Sequence, residues 1–383
     1  MVLLLPFDTV SKSAPVRIAL YSDAYDDYTT SLANAIARQD RTLLTLVQPL
    51  DDKRTPPSEI HPGVELVRIP KPRIRDPRGL IASWRIVDRL LAMESDVVHV
   101  QQSGDPVINL ALASRRSSCP VLMTVHDVVR HPGDRTYRAG AIPSQKLFAR
   151  RVDRFLVHGE VLGRALEDNW GVPRARSVVV PHGELGSLYR EAGAPTRVAR
   201  EPGRLLFFGR RWAYKGLDVL VDALVRLVPD PGKPVTLVIA GKGEPIELPT
   251  EATPPWLSFE IFDRYLDREE VVRQFDLATA VILPYREASQ SGVAALALGL
   301  GTPLVATTVG GLADLLDESI ATLVAPGDPV SLAEALSTLL AGPGPVLNKA
   351  EAGLLLAGGA LSWDAVAEQH LSVYRDVIGP GLG

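Results

Sequence analysis

The sequence predicts two α/β domains in tandem, each a parallel sheet covered on both faces by helices. Three observations lead there. The chain has 383 residues, more than one ordinary hydrophobic core organises. Its strand-like runs are apolar throughout and alternate with helix-like runs, the pattern of strands buried on both faces. The alternation halts at a polar, proline-bearing stretch around residues 189–204, "YREAGAPTRVAREPGR", and then begins again.

The first set of strands is "VRIALYS" (16–22), "TLLTLVQ" (42–48), "VELVRIP" (64–70), "DVVHVQQ" (96–102), "VLMTVHD" (121–127), "RFLVHGE" (154–160) and "SVVVPHG" (177–183). Helical patterns lie between them, among them "GLIASWRIVDRLLAM" and "VLGRALEDNWG", the latter closed by Gly171. The second set is "RLLFFGR", "VTLVIAGKG", "LSFEIFDRY", "TAVILPY", "PLVATTV" and "ATLVAP", with helices near 215–227, 268–276, 292–299 and 329–340. The tail "LSWDAVAEQHLSVYRDVIG" places Trp363, Val366, Ala367, His370, Leu371 and Tyr374 at helical spacing, so one long amphipathic helix should pack on a domain surface. The boundaries expected are 1–188, 189–361 and a terminal helix at 362–383. In doubly wound sheets ligands bind beyond the carboxyl ends of the strands, so the site belongs in the cleft between the domains.

Composition narrows the function. Apolar residues are 46% and charged residues 22%, and no run is long and apolar enough to span a bilayer. The start, "MVLLLPFDTVSKSAPVRIALYS", lacks a basic leader and a small-residue cleavage site, so it does not read as a signal peptide. Cys119 is the only cysteine, which excludes an internal disulfide and fits a reducing cytoplasm. The net charge of −4 divides unevenly, +5 over residues 1–183 and −9 over 184–383. The cluster "KPRIRDPR", with Lys71, Arg73, Arg75 and Arg78, carries much of the positive excess. It reads either as a solvated loop or as a face toward an anionic acceptor or the inner membrane surface. No nucleic-acid partner is expected.

Three motifs carry chemistry. In "RLLFFGRRWAYKGLDVLVDAL" a buried strand ends at Gly209, and Arg210, Arg211 and Lys215 follow before a helix starts. Cations oppose the positive end of a helix dipole, and an anion held between them would relieve that conflict. A phosphate or diphosphate suits Arg forks and a mobile Lys charge. The competing reading is a surface loop with scattered charges. In "LPYREASQSGVAALALGLGTPLVATTVGG" a loop carrying Glu287, Ser289, Gln290, Ser291 and Gly292 leads into a second helix. That helix start can receive an anion and Glu287 can accept sugar hydroxyls, although plain N-capping by Ser289 or Ser291 would explain the serines. In "VLMTVHDVVRHPGD" His126 and Asp127 stand at a strand's carboxyl end, with His131 five positions after His126. No HxxxH or cysteine-rich spacing marks a metal site.

Together and in order, these pieces resemble the family-4 retaining glycosyltransferases of the GT-B fold, over nearly the whole chain. "FFGRRWAYKGLDVLVDAL" looks like their segment with Gly-Arg followed by Lys-Gly five residues on, and "GLGTPLVATTVGGLADLL" is similar to their Gly-x-Pro-Val-Val-Ala-x-x-x-Gly-Gly signature. "LVIAGKGE", "REEVVRQFDLATAVILPYRE" and "SWDAVAEQHLSVY" resemble the intervening and terminal segments. The last is the helix that crosses back onto the first domain in that fold.

The resemblance implies a nucleoside-diphosphate sugar as co-substrate, a hydroxyl acceptor, retention at the anomeric carbon, and neither metal nor other cofactor. It puts Gly209, Arg210, Arg211 and Lys215 on the donor diphosphate, and His126 beside the transferred sugar. Ser289, Gln290, Ser291, Gly292 and Val293 would meet the distal phosphate or sugar hydroxyls, with Glu287 among the catalytic groups. The turn at Arg264–Leu266 would hold the base by main-chain contacts. Tyr25, Asp27, Tyr28, Asp127 and His131 are left for the acceptor. One motif departs from the pattern. The family usually carries a second glutamate eight positions after the first to hold the ribose. Counting from Glu287, or aligning on Gly292 or Gly301, gives Ala295, Ala297 or Leu296. The "SQSG" wording points to a sub-branch. The missing glutamate also motivates the alternative of a non-catalytic sugar-nucleotide-binding protein of the same fold.

Overall fold

The computed structural model describes residues 14–50, 60–71, 77–132, 139–191, 198–227, 233–246, 248, 253–342 and 344–379. The start of the chain, Arg73, Arg75 and residues 192–197 of the inter-domain stretch lie outside them.

Two all-parallel sheets form. The first contains β1 (Val16–Tyr21), β2 (Thr42–Leu50), β3 (Val64–Pro70), β4 (Val97–Gln101), β5 (Val121–Val125), β6 (Arg154–Val157) and β7 (Ser177–Val179), in the spatial order β3-β2-β1-β4-β5-β6-β7. The second contains β8 (Arg204–Phe208), β9 (Val235–Ala240), β10 (Leu257–Phe262), β11 (Ala280–Leu283), β12 (Leu304–Thr307) and β13 (Thr322–Val324), in the order β10-β9-β8-β11-β12-β13. Every strand expected from the sequence is present. The apolar runs form the central strands because no position in them tolerates water: β4, β5, β11 and β12 are buried along their whole lengths.

The orders locate the sites. Strand succession reverses between β1 and β4 in one sheet and between β8 and β11 in the other, and a crevice opens at such a switch point. β8 and β11 are direct neighbours, with Leu205 opposite Ala280 and Leu206 opposite Val281. The loops that leave them, one carrying the cations and one carrying SQSG, therefore emerge side by side.

The terminal helix, Trp363–Ile378, is capped by the Ser362 hydroxyl and packs on the helix Asp26–Arg38 of the first lobe. Its inner face is polar as well as apolar. Tyr374 Oη lies 2.6 Å from His99 Nδ1, and His370 Nε2 lies 3.3 Å from Tyr28 Oη. Trp363 Nε1 donates to the Glu184 carbonyl at the crossing between the lobes. The helix Gly344–Gly358 has no counterpart in the sequence reading. Its Leu and Ala residues lack a clean helical stripe, yet Ala350, Gly353 and Ala357 are buried, and it packs on the helix Gly292–Leu300. Among the described residues no single helix is long and apolar enough to cross a membrane.

Candidate active site

A cavity of about 710 Å³ lies between the two switch points. Its second-lobe wall is made by the loops after β8 and β11. Gly209 leaves the strand with φ +106, and Gly216 closes the next turn with φ +68. A Cβ on Gly216 would overlap the Pro284 carbonyl oxygen, so only glycine lets these two loops touch. The turn Ala213–Lys215 then sets Lys215 Nζ 2.9 Å from Tyr285 Oη and 4.3 Å above that ring. Burial pushes the Tyr285 hydroxyl up to well above its ordinary range, so it remains a neutral partner for the ammonium.

The adjacent arginines part company. Arg211 is 4% exposed, and its guanidinium donates to the Gly241 and Glu244 carbonyls and pairs with Asp263 at 2.7 Å. It builds the loop and does not line the cavity, which corrects its expected place on the donor. Arg210 is exposed and lines the cavity, and among the described residues no carboxylate pairs with it. With Lys215 and Lys242 it makes this wall cationic.

Ser291 caps the helix Gly292–Leu300 by accepting from Ala294 N, so capping accounts for its hydroxyl. Ser289, Gln290, Ser291, Gly292 and Val293 all line the cavity at that helix start. The buried Gln290 Oε1 is without a hydrogen-bond partner among the described residues. Leu296 also lines it, where one alignment sought the second glutamate. Tyr265 and Leu266 line the far end, with Lys242 Nζ 5.8 Å above the Tyr265 ring. Arg264 is absent from the lining and its side chain pairs with Glu270 in solvent, so of the turn expected to hold the base by main-chain contacts only Tyr265 and Leu266 reach the cavity, a correction for Arg264.

The first-lobe wall holds Tyr25, Asp26, Asp27, Tyr28, Asp127 and His131. Asp27 accepts from Tyr189 Oη at 3.1 Å and pairs with Arg268 at 3.2 Å. Tyr25 occupies the left-handed region at φ +60, a conformation that costs a non-glycine residue about 1 kcal/mol. In that conformation its ring lies flat over His126, centroids 3.7 Å apart. His126 is therefore fully buried and absent from the cavity lining, a correction to its expected place beside the sugar. Its Nε2 meets Gln101 Oε1 at 3.0 Å and its Nδ1 meets His158 Nε2 at 3.2 Å. Burial, then the neighbouring histidines, hold His126 well below the ordinary histidine pKa, so it is neutral.

His131 reaches across the cleft. Its Nδ1 is 3.2 Å from Glu287 Oε2 and its Nε2 is 2.9 Å from Ser289 Oγ, so the acceptor-side histidine meets the donor-side loop. Glu287 is half exposed and stands at the rim rather than in the lining.

The sequence reading also missed several lining residues: Lys242, Tyr214, His182, Gln102 and Gln145. Lys242 follows a strand within "GKG", and that position alone was a usable signal. Among the described residues every Lys and Arg that lines the cavity comes from the second half, and Lys71 is partly buried in an ion pair with Asp105.

Two Rossmann-like lobes with their switch points on one cavity, one wall cationic, define the GT-B architecture. A family model described as "Glycosyl transferases group 1" matches residues 202–342, and one described as "Glycosyl transferase 4-like domain" matches residues 25–183. A D-inositol 3-phosphate glycosyltransferase of Kineococcus radiotolerans is 30% identical over 301 residues, covering 70% of this chain and 68% of that protein. The protein of the same name from Xylanimonas cellulosilytica is 28% identical, covering 91% of this chain and 90% of its own. Among solved structures, Anabaena HepE in complex with UDP and glucose superposes with a TM-score of 0.65 at 15% identity, covering 94% and 99% of the two chains. The chain belongs to the group 1, family-4-like glycosyltransferases.

Proposed function

We propose that the protein is a retaining glycosyltransferase that moves a hexosyl group from a nucleoside-diphosphate sugar to a hydroxyl acceptor without a resident metal. The observation that carries this is the shared wall: Arg210 and Lys215 line the same cavity as the amide-bearing start of the helix Gly292–Leu300. A diphosphate there would have two cations and a helix N-terminus around it. As the bond from the anomeric carbon to the diphosphate oxygen breaks, Arg210 and Lys215 take up the charge that develops. The acceptor oxygen bonds to the same face of that carbon and its proton passes to the departing phosphate. HepE is named as a UDP complex, which favours a nucleoside diphosphate in the corresponding groove.

The stacking of Tyr25 on His126 changes one expected role. Tyr25, not His126, offers the sugar a surface, and His126 supports it from behind. On the first-lobe wall, Asp26, Asp27 and Asp127 favour an uncharged saccharide or natural-product hydroxyl. The enzyme works in the reducing cytoplasm. With a lipid-linked saccharide as acceptor, the positive excess of the first half would face the inner membrane surface. Leu296 in place of a ribose-binding carboxylate favours the second reading, a binding protein that does not turn donor over. A thermal-shift screen against UDP-, GDP-, dTDP- and ADP-sugars, followed by turnover of the best binder, separates the two. Stabilisation without transfer or hydrolysis selects the binding protein.

A further inference from the structure

Besides the Arg268–Asp27 pair and the bond from Val161 N to Asp314, one side chain links the lobes at the cavity itself. His131 leaves the first lobe in the loop after β5, is 7% exposed, and stacks on Tyr214 of the second lobe with centroids 4.7 Å apart and planes 27° from parallel. Its two nitrogens face groups of both lobes: Asp127 Oδ1 at 3.4 Å from its own loop, and Glu287 Oε2 and Ser289 Oγ from the loop after β11. Among the described residues Glu287 has no other ion pair.

We propose that His131 is a positioning residue that clasps the donor loop from the opposite lobe, so that Glu287 and Ser289 take their working places only when the cleft is closed. This rests on the glycosyl-transfer reading for its consequence, but not for its geometry. The imidazolium suits the clasp because it donates from both nitrogens, one toward Glu287 and one shared by Ser289 and Asp127. The groups facing it are the carboxylates of Asp127 and Glu287 and the phenol of Tyr214, with Lys215 and Arg210 charged beside that phenol. Burial lowers the His131 pKa, but hydrogen bonds to Asp127 and Glu287 and then their charges outweigh it, and the net shift is upward. A histidine raised on closing contributes fully below its ordinary pKa, and the contribution is lost as pH rises through the raised value. The cleft therefore closes more firmly in mild acid.

The test is small-angle scattering of the nucleotide-free protein at pH 6 and pH 9. Wild type should be compact at pH 6 and expand at pH 9. Glu287→Gln should move the midpoint of that expansion to lower pH, and His131→Phe, which keeps the stack on Tyr214, should be expanded at both. His131→Gln should recover part of the compaction without its pH dependence. With UDP-glucose as donor, His131→Phe should divert a larger share to hydrolysis, with transfer kcat lower by about ten- to a hundredfold. The proposal is overturned if His131→Phe is as compact as wild type at pH 6, or, should that variant not fold, if wild type and Glu287→Gln scatter identically at both pH values. Scattering needs no sugar transfer, so failure of the enzymatic reading would leave this result standing.

Discussion

Tyr25 lies on His126 with its ring only 16° from parallel, and so closes the first-lobe wall over the one histidine that the family pattern would place beside a sugar. The contact depends on a backbone conformation that tyrosine rarely adopts. Tyr25→Gly should accept that conformation freely and uncover the imidazole. We expect His126 to pass from resistant to reactive toward diethylpyrocarbonate in this variant, with a stability loss of about 2–3 kcal/mol because the lost ring packing outweighs the relieved strain. An imidazole that stays protected would mean that something other than Tyr25 seals it.

Arg210 and Arg211 differ in fate despite being neighbours. Arg210→Ala removes a cavity cation and nothing the fold uses, so transfer should slow by about a hundredfold or more, with urea stability close to wild type. Arg211→Ala should behave in reverse. It strands the Gly241 and Glu244 carbonyls and Asp263, and should cost about 2–3 kcal/mol of stability. Equal kinetic and equal stability effects from the two variants would remove the distinction drawn between them.

Gly216→Ala places a methyl group against the Pro284 carbonyl at a backbone angle that alanine disfavours. The loops after β8 and β11 must separate, carrying Lys215 away from Tyr285. A loss of about 2 kcal/mol or more in stability is expected, together with weaker donor binding by calorimetry. Unchanged binding would show that the two loops need not touch.

Tyr374→Phe keeps the ring but leaves His99 Nδ1 unmatched in a fully buried place. Chemical denaturation should report a loss of about 1–3 kcal/mol. A neutral effect would indicate that the Tyr374–His99 bond adds nothing to what holds the terminal helix.

Five histidines, His99, His126, His158, His182 and His370, sit with Tyr28 and Trp363 in one largely buried group, joined by ring contacts and by the Tyr28–His370 hydrogen bond. Burial lowers all five pKa values, to about 4 for His182 and His370. In the unfolded chain they bind protons near pH 6.5. Between those limits the unfolded state holds more protons, so stability present above pH 6.5 is lost as the pH falls toward 4. Each group contributes about 1.4 kcal/mol per pH unit within its window. Urea midpoints at pH 7.5, 6 and 5 should fall steeply. A flat profile would show that the histidines are hydrated. His131 runs the other way, and its smaller effect appears on the alkaline side.

The second lobe was the more legible half of the site. Glycine, arginine, lysine and serine there sit at strand ends where a loop has little freedom, so their order in the chain nearly dictates their place. What could not be read was direction: Arg210 and Arg211 are chemically identical in the sequence, and only the Gly241 carbonyl and Asp263, dozens of residues away, decide which one turns inward. The first-lobe wall was harder, because aspartates and tyrosines at a helix start serve caps, cores and ligands alike. Tyr28 is core and Asp27 is bound to Arg268, although both were read as acceptor groups and both touch the cavity.

The sequence by itself determined the thirteen strands, the two sheets and the loops that meet at their switch points, because burial on both faces demands continuous apolar runs and parallel strands demand helical returns. Only the tertiary structure decided that His126 would be covered, that four histidines would gather with His370 of the terminal helix, and that His131 would cross to Glu287. Those outcomes depend on groups far apart in the chain meeting at ångström separations, and periodicity carries no information about such meetings.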